Sequence, residues 1–210
     1  MADNYLGRKM EEYEAQKCAS VRTRRVSLMS LLAKNRSTRG YDHSFKVRRD
    51  QLVSLVEAAR LSPTAMNQQA LRYRLVTAEE ADKVAPYIRM GAALRDMKLP
   101  FEGTEPQAFV VICALKEGRF VDMDMGIATQ TILLRAVEIG LNGLCIAAFD
   151  HQAVREALQL SLEPQLIIAI GRSAEHIEIV DIKEGESQTY YRNEGKHFVP
   201  KLRVEDLIIE

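Results

Sequence analysis

The chain has 210 residues, 47% of them hydrophobic and 28% charged, an ordinary composition for a soluble globular protein with enough surface to bury one core. Lys+Arg and Asp+Glu both count 29, so there is no net field to favour nucleic acid or an anionic membrane. Cys18, Cys113 and Cys145 are odd in number and lack C-x-x-C spacing, which excludes a disulfide scaffold and a zinc site as working readings. Cys113 and Cys145 lie in apolar stretches and read as small buried residues. His43, His151, His176 and His197 are scattered without ligand spacing, so no metal is expected. The first residues are acidic and polar, unlike a secretory signal, and no apolar run approaches the roughly 20 residues of a bilayer span. The cytoplasm is the compartment expected by default.

A helix is expected over 4–19, where Met10, Tyr13 and Lys17 follow helical spacing; it reads as an N-terminal extension (1–20) of one domain spanning 1–210. A second helix over 21–34 carries an apolar face of Val26, Leu28, Met29, Leu31 and Leu32. A third, over 48–61, turns Leu52, Leu55, Val56, Ala59 and Leu61 inward and has Asp50 in its first turn, where the helix dipole favours a carboxylate. A strand over 71–77 and a short helix over 78–85 follow, then a loop-rich stretch (86–106) punctuated by Gly91, Pro100, Gly103 and Pro106. The unbroken apolar run 108–115 predicts a strand buried on both faces. The helix over 123–139 is apolar nearly all round and is expected to be central and buried, with Met123 and Met125 as core filler and Gly140 as its stop. Strands at 144–148 and 165–171 flank a short helix at 152–158; 183–196 is polar with Tyr190 and Tyr191, and 197–203 is extended. The paired tyrosines suit either a pocket or a solvent-facing strand. Without a regular βαβ rhythm the pattern predicts an α+β sandwich, a central mixed or antiparallel sheet covered by helices. No G-x-G-x-x-G follows a strand, so a Rossmann dinucleotide site is not expected.

Two polar clusters point to chemistry. Leu61-Ser62-Pro63-Thr64-Ala65-Met66-Asn67-Gln68-Gln69 is rich in hydroxyl and amide groups between two apolar elements, and Pro63 ends the helix before it. Thr64, Asn67 and Gln69 offer donors and acceptors to a polar, planar ligand. Asn35-Arg36-Ser37-Thr38-Arg39-Gly40-Tyr41 closes a helix with two guanidinium groups and two hydroxyls, a set suited to phosphate. Taken alone, each also reads as an ordinary connection or a solvated basic turn.

Together, in this order and spacing, the clusters resemble the flavin-dependent nitroreductase family, with its Arg-Arg-Ser-x-Arg start and Pro-Ser-x-x-Asn-x-Gln-Pro loop. Asp122-Met123-Asp124-Met125-Gly126-Ile127-Ala128, followed by Gly140-Leu141, is similar to the family's Asp-x-Gly-x-Ala helix, and Lys201-Leu202-Arg203 to its closing Lys-x-Arg. The likeness runs from about Leu31 to Leu207. It implies a nitroreductase-like homodimer with shared sites, holding FMN and using NAD(P)H as a transient hydride donor to reduce a small nitroaromatic or quinone-like acceptor. It further implies that Arg36, Ser37, Arg39, Lys201 and Arg203 hold the FMN phosphate and ribityl chain. Pro63, Thr64, Ala65 and Asn67 would reach the flavin of the neighbouring subunit, with Gln69 supporting that loop or touching the ring. Ile146, Ala147 and Ala148 would lie along the ring edge, with a backbone N–H near Ala147 or Ala148 directed at N5. No side chain is assigned as a catalytic acid or base. Asn35 stands where the family usually has its first arginine, Thr64 replaces serine, and Ala70 stands where proline is common. A flavin carrier or sensor without turnover, and a helical interaction protein, are the alternatives left open.

Overall fold

The computed structural model describes residues 9, 26–91, 97 and 99–209; apart from residue 9, the helix expected over 4–19 lies outside the described residues. Helix α1 (Leu28–Lys34) starts at Ser27, whose hydroxyl accepts from Ser30 N at 3.2 Å. Helix α2 (Arg49–Arg60) has Gln51 Oε1 accepting from Arg48 N at 3.0 Å and buries Leu52, Leu55 and Ala59. Helix α3 (Arg119–Glu138) closes at Gly140, where φ is 80° and the Leu141 and Gly140 amides donate to Ala136 O and Val137 O at 2.8 and 3.1 Å. That is the paired bonding a glycine in the left-handed region permits. Helix α4 (His151–Ala157) is capped by Asp150, which accepts from Ala153 N at 3.0 Å.

An apolar run without alternation must be covered on both faces. The strand it forms, β2 (Ala108–Ala114), lies inside a four-stranded antiparallel sheet with β1 (Leu71–Val76), β3 (Asn142–Ile146) and β4 (Pro164–Gly171), in the order β1-β2-β4-β3. Even-numbered residues of the two inner strands (Val110, Ile112, Ile168 and Ile170) pack with Leu52 and Leu55 of α2 and Ile132 and Ala136 of α3. Their odd-numbered neighbours (Phe109, Val111, Ile167 and Ala169) pack with Val84, Val154 and Leu158 on the other face. A second sheet, order β5-β7-β6, contains β5 (His176–Ile182), β6 (Tyr191–Asn193) and β7 (Lys196–Leu202); β5 and β7 are parallel, β6 and β7 antiparallel. No helix among the described residues is long and apolar enough to cross a membrane.

Several expectations need correction. The helix expected over 78–85 is a 3-10 turn over Ala78–Lys83. Leu61 lies past the end of α2 and is 70% exposed. Only one side of α3 meets the sheet, so Phe120, Met123 and Ile127 face outward and Met123 is not core filler; Met125 packs partly on the core. Val26, Leu28 and Met29 are likewise exposed. Cys145 is exposed because its neighbours Leu144 and Ile146 take the covered face of β3.

Residues 37–41 cross the junction between the sheets. Ser37 bridges Gly143 of β3, Tyr41 bridges Ser173, Asp42 N donates to Arg172 O at 2.9 Å and Ala174 N to Gly40 O at 3.0 Å. Tyr41 is buried, with its hydroxyl donating to Thr38 O at 3.0 Å; burial raises its pKa. Gly143 permits the close packing of β3 against β4 and α3: a Cβ there would lie 2.5 Å from Ala169 O and 2.8 Å from Leu133 Cδ2. Gly143→Ala is therefore expected to cost about 1–3 kcal/mol through displacement of β3 from β4. A lowered urea midpoint at unchanged m-value is the expected result, and an unaltered midpoint contradicts the close approach.

Candidate functional site

Asn35 ends α1, its amide donating to Leu31 O at 2.8 Å, and the chain then turns along β3. The Arg36 side chain folds back so that Nη2 donates to Leu32 O at 2.8 Å, which helps satisfy the last carbonyls of α1. Burial lowers its pKa, and its buried Nε has no partner. Arg39 is 8% exposed. Its Nη1 donates to Ser37 O at 3.0 Å, Nη2 to Tyr190 Oη at 3.4 Å, and the guanidinium sits 4.8 Å from the Tyr190 ring centre, while Nε is buried without a partner. Glu175 is the carboxylate of this region. It accepts from Arg39 N at 2.5 Å and Thr38 Oγ1 at 3.1 Å, and it forms an ion pair with Arg192 on β6.

Arg36, Ser37, Arg39, Tyr190, His197 and Lys201 line a pocket of about 210 Å³. His197, on β7, is 1% exposed, and neither ring nitrogen has a partner. Burial, then the fields of Arg192 and Arg39, hold its pKa below the ordinary imidazole value against an opposite pull from Glu175. Lys201 is exposed at the rim. Arg203 is exposed and is not among the residues lining the pocket. Its backbone is extended (φ −66°, ψ 155°), immediately after β7 ends at Leu202.

The Asn67 loop is built differently. Met66, Asn67 and Gln69 have φ of 52°, 51° and 44°, left-handed values that cost roughly 1–2 kcal/mol per residue outside glycine. Asp124 of α3, 3% exposed, holds the loop: it accepts from Ala65 N at 3.0 Å and Gln68 Nε2 at 2.8 Å. Ser62 Oγ donates to Thr131 Oγ1 at 2.9 Å, and Gln69 N to Thr64 Oγ1 at 3.4 Å. Thr64, Asn67 and Gln69 line a pocket of about 410 Å³ together with polar Glu57, Arg60 and Arg72 and apolar Val53, Val56 and Leu71. Pro63 is exposed and Ala65 half-buried.

Ile146 is buried, while Ala147 and Ala148 are exposed and line a third pocket of about 420 Å³ with Tyr87 and Arg89. Arg89 N donates to Ala148 O at 2.9 Å and Asp150 N to Tyr87 O at 3.0 Å, around an Ile88–Phe149 bridge. The start of the loop-rich stretch thus lies against Ala148, a placement that composition alone does not supply.

Arg36, Ser37, Arg39 and Lys201, from both ends of the chain, are brought together in one pocket. The Asn67 loop and the Ala147–Ala148 step line two other pockets of the same chain. Sequence reasoning missed Glu175, Arg192 and His197, and assigned Asp124 no role. A usable signal was the alternation His176-Ile177-Glu178-Ile179-Val180-Asp181-Ile182, which marks β5 and so the second sheet.

The nitroreductase family model matches residues 32–172. A Methanocaldococcus jannaschii protein named as a nitroreductase is 33% identical over 57 residues, which are 27% of this chain and 29% of that protein. The match therefore spans under a third of that relative's length. The nitroreductase family protein of Streptococcus pneumoniae superposes with a TM-score of 0.63 at 16% identity, covering 88% of this chain and 100% of that one. The FMN-dependent nitroreductase of Clostridium difficile gives 0.58 at 24% identity, with 72% and 90% covered. NfnB, an FMN and NADPH-dependent nitroreductase of a Sphigopyxis species, gives 0.58 at 19%, with 71% and 89% covered. These superpositions establish the fold. With the family model matched from the end of α1 to the last strand of the four-stranded sheet, the chain belongs to the nitroreductase family.

Proposed function

We propose that the chain is an FMN-dependent oxidoreductase that takes reducing equivalents from NAD(P)H and reduces a small acceptor of nitroaromatic or quinone type. The convergence of Arg36, Arg39 and Lys201 on one pocket carries this reading. The buried Nε atoms of Arg36 and Arg39 lack acceptors, and a phosphate monoester is the ligand whose oxygens and charge match them. Ser37 would add a short hydroxyl contact at the pocket wall, and Arg203 adds a further cation two residues beyond Lys201. FMN-dependence in the Clostridium difficile relative and FMN and NADPH-dependence in the Sphigopyxis one favour the same cofactors here.

The rest of the site follows from the chain's own residues. The Asn67 loop, with Pro63, Thr64, Ala65 and Gln69, presents hydroxyl, amide and backbone groups to the ring held by a second copy. Ala147 and Ala148 present small side chains along the ring edge, and Ile146, buried in the core, anchors the step that carries them. When bound, the flavin supplies hydride acceptance from the nicotinamide and electron delivery to the acceptor in separate half-reactions, hence ping-pong kinetics. The protein binds, orients and excludes water; none of its side chains is required as a general acid or base.

A homodimer is part of the proposal. Leu28 and Met29 of α1 are 60% and 73% exposed, and Phe120, Met123 and Ile127 of α3 are 56%, 47% and 43% exposed, on two helices that pack together. Apolar area left open in this way suits an interface. The cytoplasm, where NAD(P)H is at hand, is the proposed compartment.

The purified protein is expected to be yellow, to show the flavin absorbance bands, and to oxidise NAD(P)H with a nitroaromatic or quinone acceptor. A colourless protein that gains no flavin absorbance when mixed with FMN would refute the reading. Arg36→Ala and Lys201→Ala should each weaken FMN retention about 10- to 100-fold, a charge-assisted contact contributing ~1.5–3 kcal/mol; unchanged affinity in both variants removes the phosphate assignment. Asp124→Ala should release the strained loop, shortening its survival under limited proteolysis and lowering stability by about 1.5–3 kcal/mol. Wild-type proteolysis and unfolding profiles in that variant would show that Asp124 does not hold it.

A further inference from the structure

His197 is the described residue whose burial and bonding fit least with a merely structural role. It is 1% exposed, yet neither Nδ1 nor Nε2 has a partner, and it lines the pocket of Arg36, Ser37, Arg39 and Lys201. A neutral imidazole has one donor and one acceptor, and leaving both unmade inside a protein is unfavourable unless a ligand completes them. The ring is held in place from several sides. Arg192 is its register partner on β6 and Ile177 its partner on β5, and the Tyr190 ring lies tilted at 5.3 Å.

We propose that His197 is a binding residue of this pocket, donating a ring N–H to a phosphate monoester oxygen and taking up a proton as the dianion arrives. This inference rests on the flavin reading above, with the phosphate of FMN as the ligand group.

The surrounding charges explain the coupling. Arg39, from residues 37–41, and Arg192, from β6, are the cations whose fields act on the ring; Arg36 after α1 and Lys201 on β7 line the same pocket. Glu175, just before β5, is the opposing carboxylate, and it is already engaged by Arg39 N, Thr38 and Arg192. Without a ligand, burial and the cations keep the imidazole neutral. A bound dianion compensates Arg36, Arg39 and Lys201 and supplies the missing acceptor, so the imidazolium becomes the favoured form. The sign follows by linkage: a group whose pKa is higher in the complex strengthens binding at low pH and loses that contribution as pH rises through the bound-state value.

The test uses the flavin-free full-length protein, titrated with FMN and with riboflavin, which lacks the phosphate. At pH 7.5, calorimetry in two buffers of different ionisation enthalpy should show uptake of up to one proton with FMN and none with riboflavin. The Kd for FMN should rise several-fold between pH 6.5 and 8.5. His197→Gln should weaken FMN about tenfold and flatten that rise, leaving riboflavin affinity unchanged. The second ionisation of the phosphate itself, near pH 6, is common to both proteins and cancels in the comparison. Wild-type FMN affinity and pH slope in a folded His197→Gln protein overturn the proposal, as does the absence of proton uptake in the wild type. If neither flavin binds, the flavin reading fails on its own, and the His197 ring is tested with inorganic phosphate. A shift of its proton resonance on phosphate addition then supports the anion contact; no shift overturns it.

Discussion

Glu175 ties the beginning of the chain to its end. Its carboxylate takes hydrogen bonds from the Arg39 backbone and the Thr38 hydroxyl on one side and pairs with Arg192 of the second sheet on the other. A carboxylate this enclosed is tolerable only because donors surround it. In turn it neutralises part of a basic cluster that would otherwise repel itself. The pocket keeps a positive surplus from Arg36, Arg39 and Lys201, with Arg39 withdrawn from solvent as it would not be in a solvated basic turn.

The Asn67 loop shows the same economy at another address. Three residues other than glycine hold left-handed backbone angles, and one buried carboxylate, Asp124, bonds to the loop's backbone and to Gln68. The strain is local and the restraint comes from α3, so the loop's shape is set before any ligand arrives. Ligands that meet a formed loop do not have to order it.

The apolar runs of β2 and β4 and the periodicity of α2 were legible because burial on two faces or one face leaves a direct mark on residue spacing. The outward-facing Met123 and Ile127 were misread for a related reason. Hydrophobicity reports that a surface wants cover, not whether the cover comes from the same chain. The Arg36 and Asn67 clusters were visible as concentrations of donors. Glu175, Arg192 and His197 were not, since a charged or polar residue becomes informative only when its neighbours in space are known. Cys145 failed likewise: its local sequence is apolar, but strand alternation turns it away from the covered face.

The central pairing of β2 with β4 joins strands separated by the whole of α3, β3 and α4 in the chain. Such non-local pairing closes late in folding. Residues 37–41 dock on 172–175, and the cation pocket also requires β7, which ends at Leu202. During synthesis, therefore, Arg36 and Arg39 lack this pocket until the chain has emerged through Leu202. The phosphate proposed above would meet a formed pocket only after β7 has docked.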